Sequence, residues 1–117
     1  MPDTKRHIVA IGGAAFRAEP ENLAADRYIL GLTGKKRPSV CFVPTASAEP
    51  ANVIASFEDA YARLGAKTSV LRFFQRTPDL RYTVFSHDVI YVGGGNTKSM
   101  LAVWREWADD VRGRGLD

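Results

Sequence analysis

The stretch Asp88-Val89-Ile90-Tyr91-Val92-Gly93-Gly94-Gly95-Asn96-Thr97 decides the fold class. An apolar run leads directly into a glycine triplet, and an Asn-Thr pair suited to capping a helix follows. Continuous apolar runs, rather than alternating ones, are typical of parallel strands that are covered on both faces. The stretch therefore predicts a buried strand, a tight glycine turn and the start of a helix.

Three other segments resemble this strand in composition. They are His7 to Ile11, which Gly12-Gly13 closes, Ser39 to Val43, and Lys67 to Phe74. Arg76 to His87, around Pro78, is predicted to be a turn-rich connection to the last strand.

Helical periodicity fills the spaces between the strands. The predicted apolar faces consist of Ala25, Tyr28, Ile29 and Leu32 within residues 20–32, then Val53, Phe57, Ala60, Tyr61 and Leu64 before a stop at Gly65, and finally Met100, Leu101, Trp104 and Trp107. The order β-α-β-α-β-β-α predicts an α/β fold with a doubly wound, mainly parallel sheet. The tail from Ala108 to Asp117 is polar and broken by glycines, so we expect the sheet to stop after about four strands, with an exposed edge.

Composition limits the possible functions. The chain has 117 residues, 45% hydrophobic, with a formal net charge of +3, which suits a single soluble domain over residues 1–117. No basic cluster is interleaved with aromatic residues, so nucleic-acid binding is not expected. We expect no signal peptide and no membrane-spanning stretch, and neither an intramolecular disulfide nor a zinc cluster can form with Cys41 as the single cysteine. We expect a cytoplasmic protein without a metal or cofactor.

The carboxyl ends of the predicted strands carry the candidate binding groups. Backbone N–H groups of Gly94 and Gly95, at the start of a helix, are suited to hold an anion or a developing oxyanion. The alternative is a turn with a purely structural role. Ser47, which follows the second strand, is predicted to reach the same edge of the sheet. Gly12-Gly13 lacks the third glycine of a dinucleotide fingerprint and indicates close packing at a strand end.

No complete catalytic triad can be assembled from the sequence. A Gly-x-Ser-x-Gly elbow is missing, and Ser99 falls inside a predicted helix. His7 and His87 both precede strands, about a strand length from the predicted binding edge, so a surface or structural role is expected for them. Asp109 and Asp110 are expected to be solvated.

Several stretches together resemble peptidase E-like proteins, the peptidase E and cyanophycinase group of serine peptidases. They are Arg6 to Gly13, Ala18 to Asn22, Asp26 to Leu30, Arg37 to Ser47, Asp88 to Thr97 and Met100 to Trp107. The resemblance runs nearly from end to end, and it implies that residues 1–117 correspond to the N-terminal part of a peptidase E-like domain. The implied sheet is similar to that of class I glutamine amidotransferases, a flavodoxin-like arrangement.

The resemblance implies a hydrolase that cleaves dipeptides with N-terminal aspartate. Gly94 and Gly95 would lie beside its oxyanion hole, and Asn96 and Thr97, together with Ser47, would lie at the substrate end. In the family, a Ser-Ala-Gly elbow and a catalytic histidine come later in the chain, and neither is in this sequence. Alanines at 14 and 15 also replace glycines expected in the first loop.

Two interpretations follow from these observations. The first is a peptidase E-like scaffold that has the oxyanion side without Ser and His, and is inactive alone. The alternative is a non-catalytic module that binds a carboxylate and self-associates through its open sheet edge, forming a dimer or another homo-oligomer. A third arrangement, with Ser47 as nucleophile and a histidine from a second subunit, has no geometric support in the sequence.

Overall fold

A parallel sheet lies at the centre of the computed structural model, which describes residues 5–12, 15–74 and 79–113, with side chains up to 109. The strands are β1 (Ser39–Val43), β2 (Lys67–Val70) and β3 (Val89–Val92) in the order β2-β1-β3. The helices are α1 (Ala24–Gly31), α2 (Ala51–Arg63), α3 (Leu80–Phe85) and α4 (Thr97–Gly113), and a 3-10 turn covers Thr45–Ser47. This confirms the predicted α/β class with a parallel sheet.

The register places β1 between two parallel partners. Val40 pairs with Thr68 of β2 on one side and with Val89 of β3 on the other. All of β1 from Val40 onward is buried, as its continuous apolar run predicted.

The two faces of the sheet carry separate apolar clusters. Val40 and Phe42 point to the face that α1 and α2 cover, where the Phe42 and Phe57 rings stack with centroids 4.5 Å apart. Cys41 and Val43 point to the opposite face and pack with side chains from the segment after β2, from α3 and from α4, namely Leu71, Phe73, Leu80 and Trp104. Helices on both faces are what a doubly wound arrangement requires.

The predicted strand from His7 to Ile11 is wrong for this structure. Residues 7–11 have no strand pairing, and Ile8 is fully exposed. Because β1 already has a partner on each side, a fourth strand could join only at the outer edge of β2 or of β3, and a groove of about 1440 Å³ lies between residues 5–11 and β3. A strand is stable only with a hydrogen-bonded neighbour, so within the described residues the sheet has three strands instead of four.

Other boundaries also differ from the sequence prediction. The strand predicted for Lys67 to Phe74 ends at Val70. The predicted connection contains α3, which begins because the Asp79 carboxylate accepts the N–H of Tyr82 at 3.0 Å, whereas residues 75–78 lie outside the described part of the chain. Helix α4 continues through the predicted irregular tail to Gly113, and residues 114–117 lie outside the described ranges.

The buried side of α1 agrees with the predicted one at Ile29, which is buried, but differs from it at other positions. Tyr28 is 63% exposed, whereas Asp26 has no exposed surface. Leu23, Asp26 and Leu30 face the core, because an i, i+3, i+7 row starting at Leu23 lies on a single helix face. In α2 the predicted face is correct, and Gly65 follows the helix with φ +83°, a conformation that favours glycine. No helix among the described residues is long and apolar enough to cross a bilayer.

Candidate functional site

Two turns meet at the carboxyl edge of the sheet. The turn Thr45–Ser47 follows β1, and the glycine triplet Gly93–Gly95 follows β3 and leads into α4. Since β1 and β3 are parallel neighbours, their carboxyl ends emerge side by side. This edge is where open α/β sheets bind their ligands.

Gly95 is fitted tightly against the turn after β1. A Cβ at this residue would lie 2.2 Å from the carbonyl oxygen of Ala46, and its φ is +147°. The next residue, Asn96, donates its N–H to the same carbonyl oxygen at 2.7 Å. The two turns are therefore joined by a contact that only glycine allows.

Gly94 has open space around it and lines the groove beside β3. Among the described residues, the N–H groups of Gly94 and Gly95 have no hydrogen-bond acceptor. Unsatisfied donors at the N-terminus of a long helix attract an anion, because the helix dipole adds to the attraction. A carboxylate or a developing oxyanion is the chemical group that suits them.

Asn96 caps α4, as one of the two predicted capping residues. Its Oδ1 accepts the N–H of Ser99 at 2.9 Å. Thr97 is the first residue of the helix and is exposed. The hydroxyl of Ser47 donates to the carbonyl oxygen of Pro44 at 3.2 Å, inside its own turn. Roles for Asn96, Thr97 and Ser47 in substrate binding stay predictions.

Two tryptophans of α4 hold the loops at this edge. The Trp104 indole N–H donates to Thr45 Oγ1 at 3.0 Å, and the Trp107 indole N–H donates to the carbonyl oxygen of Phe73 at 3.1 Å. Their helical spacing predicted a shared face, and a buried indole needs an acceptor. The sequence contained no signal for which acceptors these would be.

Glu49 is a positioning residue that sequence reasoning missed. Its carboxylate accepts the N–H of Phe73 at 2.5 Å and the N–H of Phe74 at 3.3 Å, which ties the loop after β1 to the loop after β2. Glu49 and the preceding Ala48 have positive φ values of 56° and 65°. Non-glycine residues in this conformation store backbone strain, a feature concentrated at functional sites.

Among the described residues, neither a readily ionised thiol nor a metal-binding cluster is found at this edge. Cys41 is completely buried, and burial raises the pKa of its thiol, which disfavours the reactive thiolate. Within the described ranges, no three His, Cys, Asp or Glu side chains are arranged to hold a metal ion. Of the predicted site residues, the structure thus brings Gly94, Gly95, Asn96 and Ser47 to one edge, with Thr97 beginning the adjoining helix.

A family model described as peptidase family S51 matches residues 8–111. The chain belongs to peptidase family S51. The match includes both turns at the carboxyl edge, and it supports the predicted relationship to peptidase E-like proteins.

A curated relative agrees with this assignment. The S51 chain is 43% identical over 106 residues to a protein of Bacillus subtilis (strain 168) named uncharacterized peptidase YgaJ. The aligned region covers 90% of the S51 chain but 46% of the relative, so the chain spans less than half the length of that protein. No solved structure matches the S51 chain significantly.

Proposed function

We propose that this chain forms the oxyanion side of a peptidase E-like serine hydrolase that acts on dipeptides with N-terminal aspartate. The observation that carries the proposal is the pair of N–H groups at Gly94 and Gly95, which lack acceptors among the described residues and directly precede the Asn96 cap of the long helix α4. In this role they stabilise the negative charge on the scissile carbonyl oxygen. Asn96, Thr97 and Ser47 then contact the substrate beside them.

The nucleophile is not supplied by the 117-residue chain. The sequence contains no Gly-x-Ser-x-Gly elbow and no Ser-Ala-Gly, and the hydroxyl of Ser47 is bonded within its own turn. Loss of triad members lowers hydrolytic rates by orders of magnitude, so this chain alone does not turn over aspartyl dipeptides. A cytoplasmic location belongs to the same proposal, because Cys41 is a single buried thiol.

Hydrolysis of aspartyl dipeptides tests this function. The assay compares the 117-residue chain with a chain that continues through the downstream coding sequence. We expect activity only in the longer chain. Turnover of the same dipeptides by the 117-residue chain would show that its own residues supply a nucleophile for this reaction. That result would refute the proposal that this chain forms only the oxyanion side of the site.

Substitution at Gly94 tests the oxyanion role in the longer chain. Gly94→Pro removes the backbone N–H and is expected to lower kcat by about 100-fold or more. Gly94→Ala is the matched control, because it retains the N–H and its Cβ meets open space. Equal loss in both variants, with folding verified by circular dichroism, contradicts the role of this N–H.

A second candidate function is a non-catalytic module that binds a carboxylate and self-associates. The observation that favours it is the edge of β3, which has no strand partner within the described part of the chain. If this candidate is correct, aspartate or a dipeptide binds to both the 117-residue chain and the longer chain, and neither chain hydrolyses it. Calorimetric titration beside the hydrolysis assay separates the two functions.

A further inference from the structure

A serine and a histidine lie in direct contact away from the glycine turn. Ser69 Oγ, in β2, is 2.6 Å from His87 Nε2, just before β3. His87 Nδ1 is 2.6 Å from the carbonyl oxygen of Thr83, in α3. Ser69 and His87 are both half-buried, so they are held in position yet partly accessible.

The partners of His87 determine which ring nitrogen carries the proton. The carbonyl oxygen of Thr83 can only accept, so Nδ1 of the neutral ring is the protonated nitrogen. Nε2 then has a free lone pair and accepts the hydroxyl proton of Ser69. A hydroxyl aimed at an imidazole lone pair, with the imidazole oriented by a third group, is the arrangement that activates a serine nucleophile.

The edge of β2 offers a backbone donor next to this serine. Lys67 donates its N–H to Pro38, and Leu71 donates its N–H to Phe42, so the odd-numbered amides of this segment face β1. Alternation along the strand turns the N–H of Val70 to the outer edge, where no strand pairs among the described residues. The N–H of Val70, one residue along the chain from Ser69, is the donor that we assign to an oxygen that becomes negative during attack by Ser69.

We propose that Ser69 is a histidine-activated nucleophile that accepts an acyl or phosphonyl group from small activated electrophiles at the edge of β2. With a fluorophosphonate, the Oγ–P bond forms, the P–F bond breaks, the hydroxyl proton passes to His87 Nε2, and fluoride leaves. The reaction requires neither an oxidant nor a metal. The site is separate from the Gly94–Gly95 turn, and it goes beyond the proposed dipeptidase function.

The neighbouring thiol does not compete for the electrophile. Cys41 pairs with Ser69 across the sheet, so its sulfur lies beside the Ser69 hydroxyl, whose proton is directed at His87 Nε2. Burial nevertheless raises the pKa of the Cys41 thiol, with the bonds from Ser69 and from the Leu71 backbone opposing that rise. The thiol stays protonated at neutral pH, so the reactive oxygen is that of Ser69.

Labelling with a biotinylated fluorophosphonate, read by intact mass and peptide mapping, tests the proposal. We expect a single adduct on Ser69 in the folded chain, formed at least 10-fold faster than at any other serine. Ser69→Ala and His87→Gly are expected to abolish it, and added imidazole is expected to restore part of the labelling of His87→Gly. Ser86→Ala is the matched control, because Ser86 Oγ lies 3.2 Å from Nδ1, on the opposite side of the ring.

Comparison among serines within the unsubstituted chain decides the outcome even if a variant misfolds. Labelling of Ser69 no faster than that of the exposed Ser56 and Ser99 overturns the proposal and leaves the Ser69–His87 bond a purely structural link between β2 and the segment that joins α3 to β3. Denaturation in urea before labelling must remove the preference, since unfolding separates the two side chains. Neither result depends on whether aspartyl dipeptides are hydrolysed.

Discussion

At the scale of single residues, Asp26 is a charged side chain with no exposed surface. Its Oδ1 accepts the Tyr61 hydroxyl at 2.6 Å, and its Oδ2 has no partner among the described residues. Burial and then the neighbouring carboxylate hold the pKa of Tyr61 far above its ordinary value, and the same two causes raise the pKa of Tyr91 to about 12. Both phenols therefore stay protonated, and Tyr61 remains a donor to Asp26 over the ordinary pH range.

Removing the Tyr61 hydroxyl is expected to destabilise the protein. Tyr61→Phe leaves a buried carboxylate without its described donor, which costs about 2 kcal/mol or more of unfolding free energy. Urea denaturation measures the loss. The double variant Asp26→Leu/Tyr61→Phe is expected to lose less than the sum of the two single variants, since no buried charge remains. A loss of unfolding free energy equal to the sum of the two single losses would contradict an interaction between Asp26 and Tyr61.

Ile8 distinguishes the observed fold from a four-stranded sheet. Its side chain is fully exposed, so Ile8→Asp is expected to change the unfolding free energy by no more than about 0.5 kcal/mol. Val40→Asp is the matched control on the buried strand β1 and is expected to cost more than about 3 kcal/mol. Destabilisation of several kcal/mol by Ile8→Asp would instead place residues 7–11 in a core.

Two glycines of one turn are expected to differ in their tolerance of a methyl group. Gly95→Ala forces a Cβ to 2.2 Å from the carbonyl oxygen of Ala46 and is expected to cost more than about 2 kcal/mol. Gly94→Ala meets no atom within 4 Å and is expected to be neutral for folding. Thermal unfolding of the two variants side by side checks this, and equal melting temperatures would contradict the contact.

At the scale of elements, Asp88 ties the start of β3 to the start of β1. Its carboxylate accepts a hydrogen bond from Lys35 Nζ at 2.5 Å. The same carboxylate accepts hydrogen bonds from the backbone N–H and the hydroxyl of Ser39 at 2.9 and 3.0 Å. The bond from Lys35, followed by the backbone N–H of Ser39, lowers the pKa of Asp88 below its ordinary value. The folded state thus favours the ionised carboxylate.

The contribution of Asp88 to the stability of the protein is expected to decrease as the pH falls. A lowered pKa in the folded state stabilises the protein above the ordinary carboxylate pKa, and this stabilisation is lost as the pH falls through the folded value. Asp88→Asn is expected to cost about 1 kcal/mol at pH 7, because a partly exposed pair is screened by solvent. Urea denaturation at pH 7 and pH 3 checks whether the difference between the variant and the parent becomes smaller in acid.

At the scale of the whole molecule, one sheet edge presents apolar side chains to solvent. Ile90 is 38% exposed and Val92 is 45% exposed on β3, which has no outer neighbour among the described residues. An unpaired apolar edge is a template for association with another chain. We expect dimers or larger homo-oligomers by light scattering, and the double variant Ile90→Lys/Val92→Lys to be monomeric. A monomer at high concentration without substitution contradicts this expectation.

The sequence contained most of the information about strands β1 and β3, helix α2 and the glycine turn. Their patterns are local, because an apolar run, an i, i+3, i+4 spacing and a helix cap depend on neighbours within a few residues. Residues 7–11 show the limit of this reasoning, since their apolar composition is that of a strand but no strand pairs with them in the described part of the chain. Asp26 shows a second limit, because buried carboxylates are too rare to predict from spacing.

The sequence alone determined the α/β class, the parallel strands, the turn at Gly94 and Gly95 and the relationship to peptidase E-like proteins. Only the tertiary structure decided that Gly95 packs on Ala46, that Glu49 joins two loops, and that Ser69 meets His87. Those contacts join residues from separate elements, so their geometry depends on how the strands and helices pack. Composition and periodicity specify the elements, whereas the distances between side chains on different elements arise only when the sheet is assembled.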